Sequence, residues 1–177
     1  TYMPAYNNLA IVHLKIGDPW QAEKICRQGL AKDKDYGVLY NVLGNALHQQ
    51  GRSAAAIENY KKALKLCPEE KEICLCNLGN LYADIGDKKR SVKHFERALE
   101  ISPDYAEAYY ALSRVFRYKK DDPLIVTMEA LKQKPEITSA ERVHLYFGLG
   151  RAYDQLGDYK QAFANYAQGN YLARSNI

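Results

Sequence analysis

Residues 39–68 read LYNVLGNALHQQGRSAAAIENYKKALKLCP, and this stretch decides the fold of the chain. Apolar and small residues recur in its first half at i, i+3, i+4 and i+7, the spacing of one face of an α-helix. The same pattern resumes after the break at Gln50-Gly51-Arg52. Gly44 and Ala56 are the small residues on the two apolar faces, so two antiparallel helices can approach closely. The stretch therefore predicts a helical hairpin that ends at Pro68.

The hairpin pattern recurs along the whole chain. A leucine marks each successive first helix at intervals of 34, 35, 34 and 37 residues, and a small residue follows it. These pairs are Leu9-Ala10, Leu43-Gly44, Leu78-Gly79, Leu112-Ser113 and Leu149-Gly150. A bulky residue takes a common position in the second helices, as Cys26, Tyr60, Phe95 and Tyr166. Because one hairpin cannot bury its own apolar face, neighbouring copies must stack.

This pattern resembles the tetratricopeptide repeat (TPR), a helix–turn–helix unit of about 34 residues. The resemblance covers the chain in five copies, of which the fourth is divergent. The copies lie at about residues 3–36, 37–70, 72–105, 106–135 and 143–176. It implies an all-α fold in which the copies stack as a right-handed superhelical solenoid. We therefore expect residues 1–177 to form a single TPR domain.

The fourth copy departs from the pattern in its turn and in its second helix. Lys120 stands where the other copies carry glycine, and Asp121-Asp122-Pro123 predicts a shortened turn. Thr127 takes the place of the bulky residue. Downstream, Thr138-Ser139-Ala140-Glu141 has the form of a capping box, so the first helix of the fifth copy should start early and be long. We expect a kink or hinge between the fourth and fifth copies.

Composition argues against two classes of function. The 25 basic and 21 acidic residues give a net charge of +4, which is too small and too evenly spread to indicate nucleic-acid binding. The run Lys88-Lys89-Arg90 with Lys93 lies where a helix should start and is interpreted as a solvated face. No apolar run approaches the roughly 18 residues that span a membrane, so no membrane insertion is expected.

The chain starts at Thr1 without an initiator methionine. We therefore interpret it as a piece of a longer protein.

Motifs for catalysis, metal ions or cofactors are not evident. The phosphate-binding loop, the HExxH zinc motif and the GxSxG motif are missing, and Gly148 and Gly150 lie within a predicted helix. Cys74 and Cys76 are two positions apart on a predicted helix, so their side chains diverge by about 200° and cannot easily hold one metal ion. We expect no catalytic residues, no cofactor and no metal, and buried thiols in a reducing, cytoplasmic compartment.

Polar residues recur on the first helices, on a face that in the TPR resemblance lines a peptide-binding groove. The candidate peptide-binding residues are Asn41, Asn45, Asn77, Asn80, Tyr110, Arg114, Arg117 and Arg151. An asparagine side chain both donates and accepts, so it can pair with a peptide group in both directions. The asparagines resemble the ladder of TPR superhelices such as the one attached to O-GlcNAc transferase. The alternative is that they brace neighbouring helices without a ligand.

Two functions of different classes remain open. The first is a non-catalytic scaffold that binds an extended peptide segment of a partner protein. A basic clamp for a carboxylate terminus is disfavoured, because Asn41, Glu107 and Ala111 stand where that TPR subset has lysine and arginine residues. The second is the substrate-presenting arm of a larger sulfotransferase- or glycosyltransferase-like enzyme, since residues 156–174 resemble the last repeat of bacterial TPR–sulfotransferase proteins. Self-association through the terminal repeats is a further expectation, because the last helix would leave apolar surface open.

Overall fold

The computed structural model describes residues 2–175, which form α-helices joined by short connections and contain no strand. The helices are α1 Met3–Lys15, α2 Pro19–Leu30, α3 Gly37–Gln49, α4 Ser53–Leu66, α5 Lys71–Asp84, α6 Lys88–Ile101, α7 Ala106–Ser113, α8 Pro123–Leu131, α9 Ser139–Gln155 and α10 Tyr159–Ser175. A 3₁₀ turn at Pro68–Glu70 precedes α5. The all-α class predicted from the sequence is confirmed.

The helices belong to two compact units, Thr1–Gly86 with α1–α5 and Asp87–Ile177 with α6–α10. We call them the N-terminal unit and the C-terminal unit. The N-terminal unit is built from the hairpins α1–α2 and α3–α4 with α5 packed against α4. Its core contains the fully buried side chains of Leu39, Leu47 and Tyr60.

A glycine in the left-handed conformation follows each of the helices α1, α3, α5 and α9. Gly17, Gly51, Gly86 and Gly157 have φ between 76° and 84°. At Gly51 an added Cβ would meet no atom within 4 Å, so glycine is needed there for its backbone conformation and not for space. The carboxylate of Asp18 then accepts a hydrogen bond from the Gln21 amide at 3.0 Å and caps the next helix.

The close approach of two helices that the small residues predicted is present at Gly44, between α3 and α4. A Cβ placed on Gly44 would lie 2.5 Å from Cε1 of Tyr60, the bulky residue of the facing helix. Gly150 meets the ring of Tyr166 in the same way, at 2.6 Å. In both hairpins the aromatic ring lies directly on the backbone of the partner helix, which no larger residue would allow.

The fourth copy differs from its sequence interpretation. Its first helix ends early, at Ser113, and residues 114–122 connect it to α8, so the connection is longer than in the other copies and not shorter. Asp121, with φ of 61°, adopts the left-handed conformation, and not Lys120, which stands at the position of the glycine. The connection contains β-branched and aromatic residues of low helix propensity, namely Val115, Phe116 and Tyr118. The chain leaves the helical conformation after Ser113, and the Tyr118 side chain is buried.

Thr127 does not fill the position of the bulky residue in α8. Its hydroxyl donates to the Pro123 carbonyl at 2.9 Å, whereas the neighbouring Met128 is fully buried. The Met128 sulfur lies 3.1 Å from the position that a Cβ on Gly148 would occupy. Met128 thus packs on the helix that follows it, α9, whereas Tyr60 and Tyr166 pack on the helices that precede them.

The fourth and fifth copies share one core, at the junction where the sequence suggested a kink or hinge. Tyr109, Met128 and Leu145, from α7, α8 and α9, belong to the same buried cluster. The capping box predicted at residues 138–141 is confirmed, with both reciprocal hydrogen bonds between Thr138 and Glu141. As expected from it, α9 starts early and has 17 residues.

Candidate functional site

The four candidate asparagines lie on α3 and α5 of the N-terminal unit, and we call them the asparagine face. Nδ2 of Asn77 donates to Oδ1 of Asn41 at 2.9 Å, so this pair bridges the two helices. Asn41 is only 6% exposed, which places most of its amide out of reach of a ligand. This pair therefore braces α3 against α5, the role that the sequence analysis gave as the alternative to peptide binding.

Asn45 also has a structural partner. Its Oδ1 accepts a hydrogen bond from the hydroxyl of Tyr60 at 2.7 Å, and the Tyr60 side chain is fully buried. Burial raises the pKa of Tyr60 well above its ordinary range, so the hydroxyl remains protonated and must donate. Asn45 thereby satisfies the only polar atom that Tyr60 brings into the core.

A second polar pair extends the asparagine face along the same two helices. Nε2 of His48 lies 2.9 Å from Oδ2 of Asp84, and this pair joins residues 36 apart, as the Asn41–Asn77 pair does. Asn80 lies between the two pairs on α5 and is half-buried. The sequence places His48 and Asp84 on the same face of the first helices, although they are not among the candidate peptide-binding residues; the interval of 36 residues that they share with the asparagine pair is the signal that could have added them.

Removal of the Tyr60 hydroxyl tests the bracing role of Asn45. Tyr60→Phe should lower the free energy of unfolding by about 1 kcal/mol, the net value of one hydrogen bond. Asn45→Ala should cost about 2 kcal/mol, because it leaves the buried hydroxyl unsatisfied. In the Tyr60→Phe background Asn45→Ala should cost much less, since no hydroxyl remains to be satisfied. Urea unfolding of the four proteins measures this coupling, and strictly additive effects would contradict it.

The candidates of the C-terminal unit lie on different elements. Tyr110 on α7 stacks on His144 of α9, with ring centroids 5.8 Å apart and planes inclined by 11°. Arg151 is exposed on α9. Arg114 caps the end of α7, and Arg117 lies in the connection beyond it, so the prediction that both lie on the first helix is wrong. The early end of α7 is the reason.

Comparison with known proteins identifies the repeat. Family models described as tetratricopeptide repeat match residues 35–104 and 143–176. The chain belongs to the tetratricopeptide-repeat family. This agrees with the hairpins, with their glycine turns and with the aromatic rings packed on small residues.

Similar proteins include both assembly proteins and part of an enzyme. The chain is 28% identical to the Photosystem I assembly protein Ycf3 of Acaryochloris marina, over 82% of this chain and 78% of that protein. It is 29% identical to a UDP-N-acetylglucosamine–peptide N-acetylglucosaminyltransferase of Giardia intestinalis, over 60% of this chain but only 7% of the enzyme. The structure of MamA residues 41–end from Desulfovibrio magneticus RS-1 superposes with a TM-score of 0.61 at 22% identity, covering 98% of this chain and 96% of that one. The last likeness concerns the fold alone.

The TPR pattern gave no indication of a buried carboxylate between the first two repeats. Glu23 of α2 accepts hydrogen bonds from Arg27 at 2.7 Å, from Arg52 at 2.8 Å and from Gln50 at 2.9 Å. Gln50 also donates to the Pro19 carbonyl at 3.0 Å. We call this the Glu23 network; it ties the second helix of the first repeat to the turn of the second.

The ionisation of Glu23 is set by two opposing effects. Burial alone would raise the pKa of its carboxyl, but the hydrogen bonds from Arg27, Gln50 and Arg52 outweigh burial. The pKa therefore lies below its ordinary value of 4.5, and Glu23 is charged at neutral pH.

The cysteines of this TPR protein are buried, as the sequence predicted, and none of the four forms a disulfide. Burial raises the pKa of Cys26 and that of Cys74 to about 12, which makes these thiols unreactive at neutral pH. In residues 2–175 no group of three or more His, Cys, Asp or Glu side chains could hold a metal ion. Within the same range no helix is both long and apolar enough to cross a membrane.

Proposed function

We propose that this chain is a non-catalytic scaffold for protein–protein interaction and that its asparagine face holds an extended segment of a partner protein. Membership of the TPR family supports the general role, as does the similarity to Ycf3, a Photosystem I assembly protein. The finer proposal rests on the amides of the asparagine face. Nothing in it requires a cofactor.

The proposal rests on two asparagine side chains that are held in place by one hydrogen bond each and leave the second polar atom of the amide without a partner among the residues that the structure describes. Among the hydrogen bonds of residues 2–175, the Asn45 side chain uses only Oδ1 and the Asn77 side chain only Nδ2. The bonds to Tyr60 and Asn41 hold these side chains in place, so Nδ2 of Asn45 and Oδ1 of Asn77 form a pre-oriented donor and acceptor. A peptide group needs one of each. In this proposal bracing and peptide binding are performed by opposite ends of the same amide.

The expected affinity is modest. Each backbone hydrogen bond contributes about 0.5–1.5 kcal/mol net, and ordering an extended peptide opposes much of the sum. We expect micromolar dissociation constants, on the order of −8 kcal/mol. In the C-terminal unit, the exposed guanidinium groups of Arg114 and Arg151 and the ring of Tyr110 are proposed as an independent set of contacts for side chains of a partner protein.

Asn80→Ala is the variant that tests peptide binding, since it leaves the Asn41–Asn77 and Asn45–Tyr60 hydrogen bonds in place. The probe is a twelve-residue peptide selected by the wild-type protein from a random phage-displayed library. We expect Asn80→Ala to weaken its binding about tenfold, measured by fluorescence anisotropy, with an unchanged melting temperature. Gln49→Ala, at an exposed position of α3, is the matched control.

Backbone recognition is tested on the peptide itself. N-methylation of single peptide bonds removes one N–H donor at a time, and methylation at the bond whose N–H faces Oδ1 of Asn77 should lower affinity about tenfold. Alanine substitution of the same peptide residues should have smaller effects. Equal binding by wild type and Asn80→Ala, together with tolerance of every methylation, would refute the asparagine face as a site but not the scaffold.

The alternative function is that of a substrate-presenting arm. The similarity to a short part of the Giardia intestinalis transferase supports it, as does the resemblance of residues 156–174 to the last repeat of TPR–sulfotransferase proteins. In this case the chemistry would be performed by another part of a longer polypeptide. The intact mass of the native protein from its source decides, since a mass near the 20.2 kDa of this chain would exclude a larger transferase.

Self-association is supported by apolar side chains exposed in the first and last repeats. Phe163 and Tyr159 of α10 are 76% and 71% exposed, and Trp20 of α2 is 65% exposed. Such side chains commonly mark contact surfaces. If copies of the chain meet through them, the mass measured by sedimentation equilibrium should rise with protein concentration, and Phe163→Glu should abolish that rise.

A further inference from the structure

The C-terminal unit contains a cleft that the TPR pattern does not predict. It has a volume of about 680 Å³ and lies between α6 and the connection that follows α7. Its lining residues are Lys88, Lys89, Val92, Lys93 and Glu96 of α6, with Val115, Phe116 and Arg117 of the connection. We call it the basic cleft. Its volume falls within the roughly 300–1,000 Å³ typical of ligand sites.

The early end of α7 forms one wall of the basic cleft. The amides of Val115 and Phe116 donate to the Leu112 carbonyl at 3.0 and 2.9 Å, which closes the last helical turn. The Phe116 ring then packs edge-on against Tyr118, with centroids 5.1 Å apart. Since Tyr118 is buried and its amide donates to Gln155 at 3.3 Å, the wall is anchored on α9.

The cleft combines an apolar floor with a positive rim. Val92, Val115 and Phe116 are half-buried and still accessible from the cleft. Four exposed cations surround them, Lys88, Lys89, Lys93 and Arg117, against the single carboxylate of Glu96. Within residues 2–175 none of these four cations has a salt-bridge partner. Unpaired cations around an apolar floor complement a ligand that is both acidic and partly apolar.

We propose that the basic cleft binds an acidic peptide segment of a partner protein, with one apolar side chain on Phe116 and flanking carboxylates on the lysines and Arg117. A guanidinium can bind a carboxylate through two hydrogen bonds, whereas the lysines act as point charges on flexible stems. The site is separate from the asparagine face and does not depend on it.

The aliphatic floor of the cleft and its single aromatic residue favour an acidic peptide over a nucleic acid as the occupant. Single-stranded nucleic acid binds to positive grooves through bases stacked on accessible aromatic faces. Here the one aromatic residue of the cleft, Phe116, is half-buried and packed against Tyr118. The aliphatic side chains of Val92 and Val115 provide an apolar surface that suits a leucine or phenylalanine side chain.

A charge reversal on α6 tests the proposal. The probe is a fluorescein-labelled eight-residue peptide in which aspartate and glutamate flank one phenylalanine and one leucine. Binding to the full chain is measured by anisotropy at 50 mM salt. We expect Lys89→Glu with Lys93→Glu to weaken binding at least tenfold. The matched control is Lys61→Glu with Lys65→Glu, an exposed lysine pair of equal spacing on α4, which should change binding less than twofold.

Variants of the peptide separate charge from apolar contact. Replacing its acidic residues with asparagine and glutamine should abolish binding, and replacing its phenylalanine with alanine should weaken binding about fivefold. Affinity should also fall as the salt concentration rises, because the contacts are between exposed charges.

Three results would overturn the proposal. They are no binding of the acidic peptide at 1 mM, equal loss of binding in the α4 control, and tighter binding of a ten-nucleotide RNA or of phosphatidylserine vesicles through the same lysines. The last result would show a general anion-binding surface in place of a peptide site.

Discussion

Replacing Gly44 with leucine is expected to lower the free energy of unfolding of the N-terminal unit by about 3 kcal/mol, the upper end of the range for overpacked cores. Even a methyl group at this position would lie 2.5 Å from the ring of Tyr60. Tyr60 is fully buried and its hydroxyl is held by Asn45, so the ring cannot turn away without losing that hydrogen bond. Either α3 and α4 must separate or the ring must leave its site, and both outcomes expose apolar surface.

Urea unfolding followed by far-UV circular dichroism measures the effect of Gly44→Leu. Fluorescence of Trp20, the one tryptophan of the sequence, reports separately on the N-terminal unit. Gln49→Leu adds the same side chain at an exposed position of α3 and should change stability by less than about 0.5 kcal/mol. If both variants unfold at the urea concentration of the wild type, the two helices are not closely apposed at Gly44.

Removing the carboxylate of Glu23 is expected to lower the free energy of unfolding at pH 7 by about 2 kcal/mol. Glu23→Ala eliminates hydrogen bonds from two arginines and a glutamine at a side chain that is 12% exposed. Hydrogen bonds to charged groups contribute about 1.5–3 kcal/mol. The exposed portions of Arg27 and Arg52 return to water in the variant, so we place the effect in the lower part of that range.

Glu58→Ala is the matched control for Glu23→Ala, since Glu58 is an exposed glutamate of α4 and its loss should change stability by less than about 0.5 kcal/mol. Hydrogen exchange should locate the effect of Glu23→Ala at the junction of α2 with the Gln50–Arg52 turn. Equal stability of the two variants would mean that the Glu23 network contributes nothing to folding.

The Glu23 network also predicts a dependence on pH. Because the pKa of Glu23 is lowered in the folded chain, its charged form stabilises the fold above the ordinary value of 4.5. That contribution is lost as the pH falls through the folded-state pKa, which lies below 4.5. The stability difference between wild type and Glu23→Gln should therefore be constant above about pH 5.5 and shrink below pH 4.5. A difference that is unchanged at pH 3.5 would show that the charge of Glu23 is not involved.

The sequence by itself determined the helical hairpins and the residues at which their helices begin and end. The apolar spacing in residues 39–68, the glycine at each regular turn and the capping box at residues 138–141 all depend on residues close together in the chain. Such local patterns determine the backbone conformation directly. Because they recur from copy to copy, each copy supports the same structural prediction. The contact of Gly44 with Tyr60 could be expected for the same reason, because small and large residues alternate at fixed positions of one hairpin.

Only the tertiary structure decided which polar groups pair and where the fourth copy leaves the helix. Asn41 finds Asn77 at a distance of 36 residues, and Glu23 finds Arg52 at a distance of 29. These partners depend on how neighbouring hairpins pack, and no local pattern encodes that. After Ser113, residues of low helix propensity are followed by Tyr118, which is buried in the core with α8 and α9, and the connection forms the wall of the basic cleft. Burying a large side chain stabilises the fold by more than the difference in helix propensity between residues, which is on the order of a few tenths of a kcal/mol. Burial of Tyr118 therefore decides the path of the backbone here.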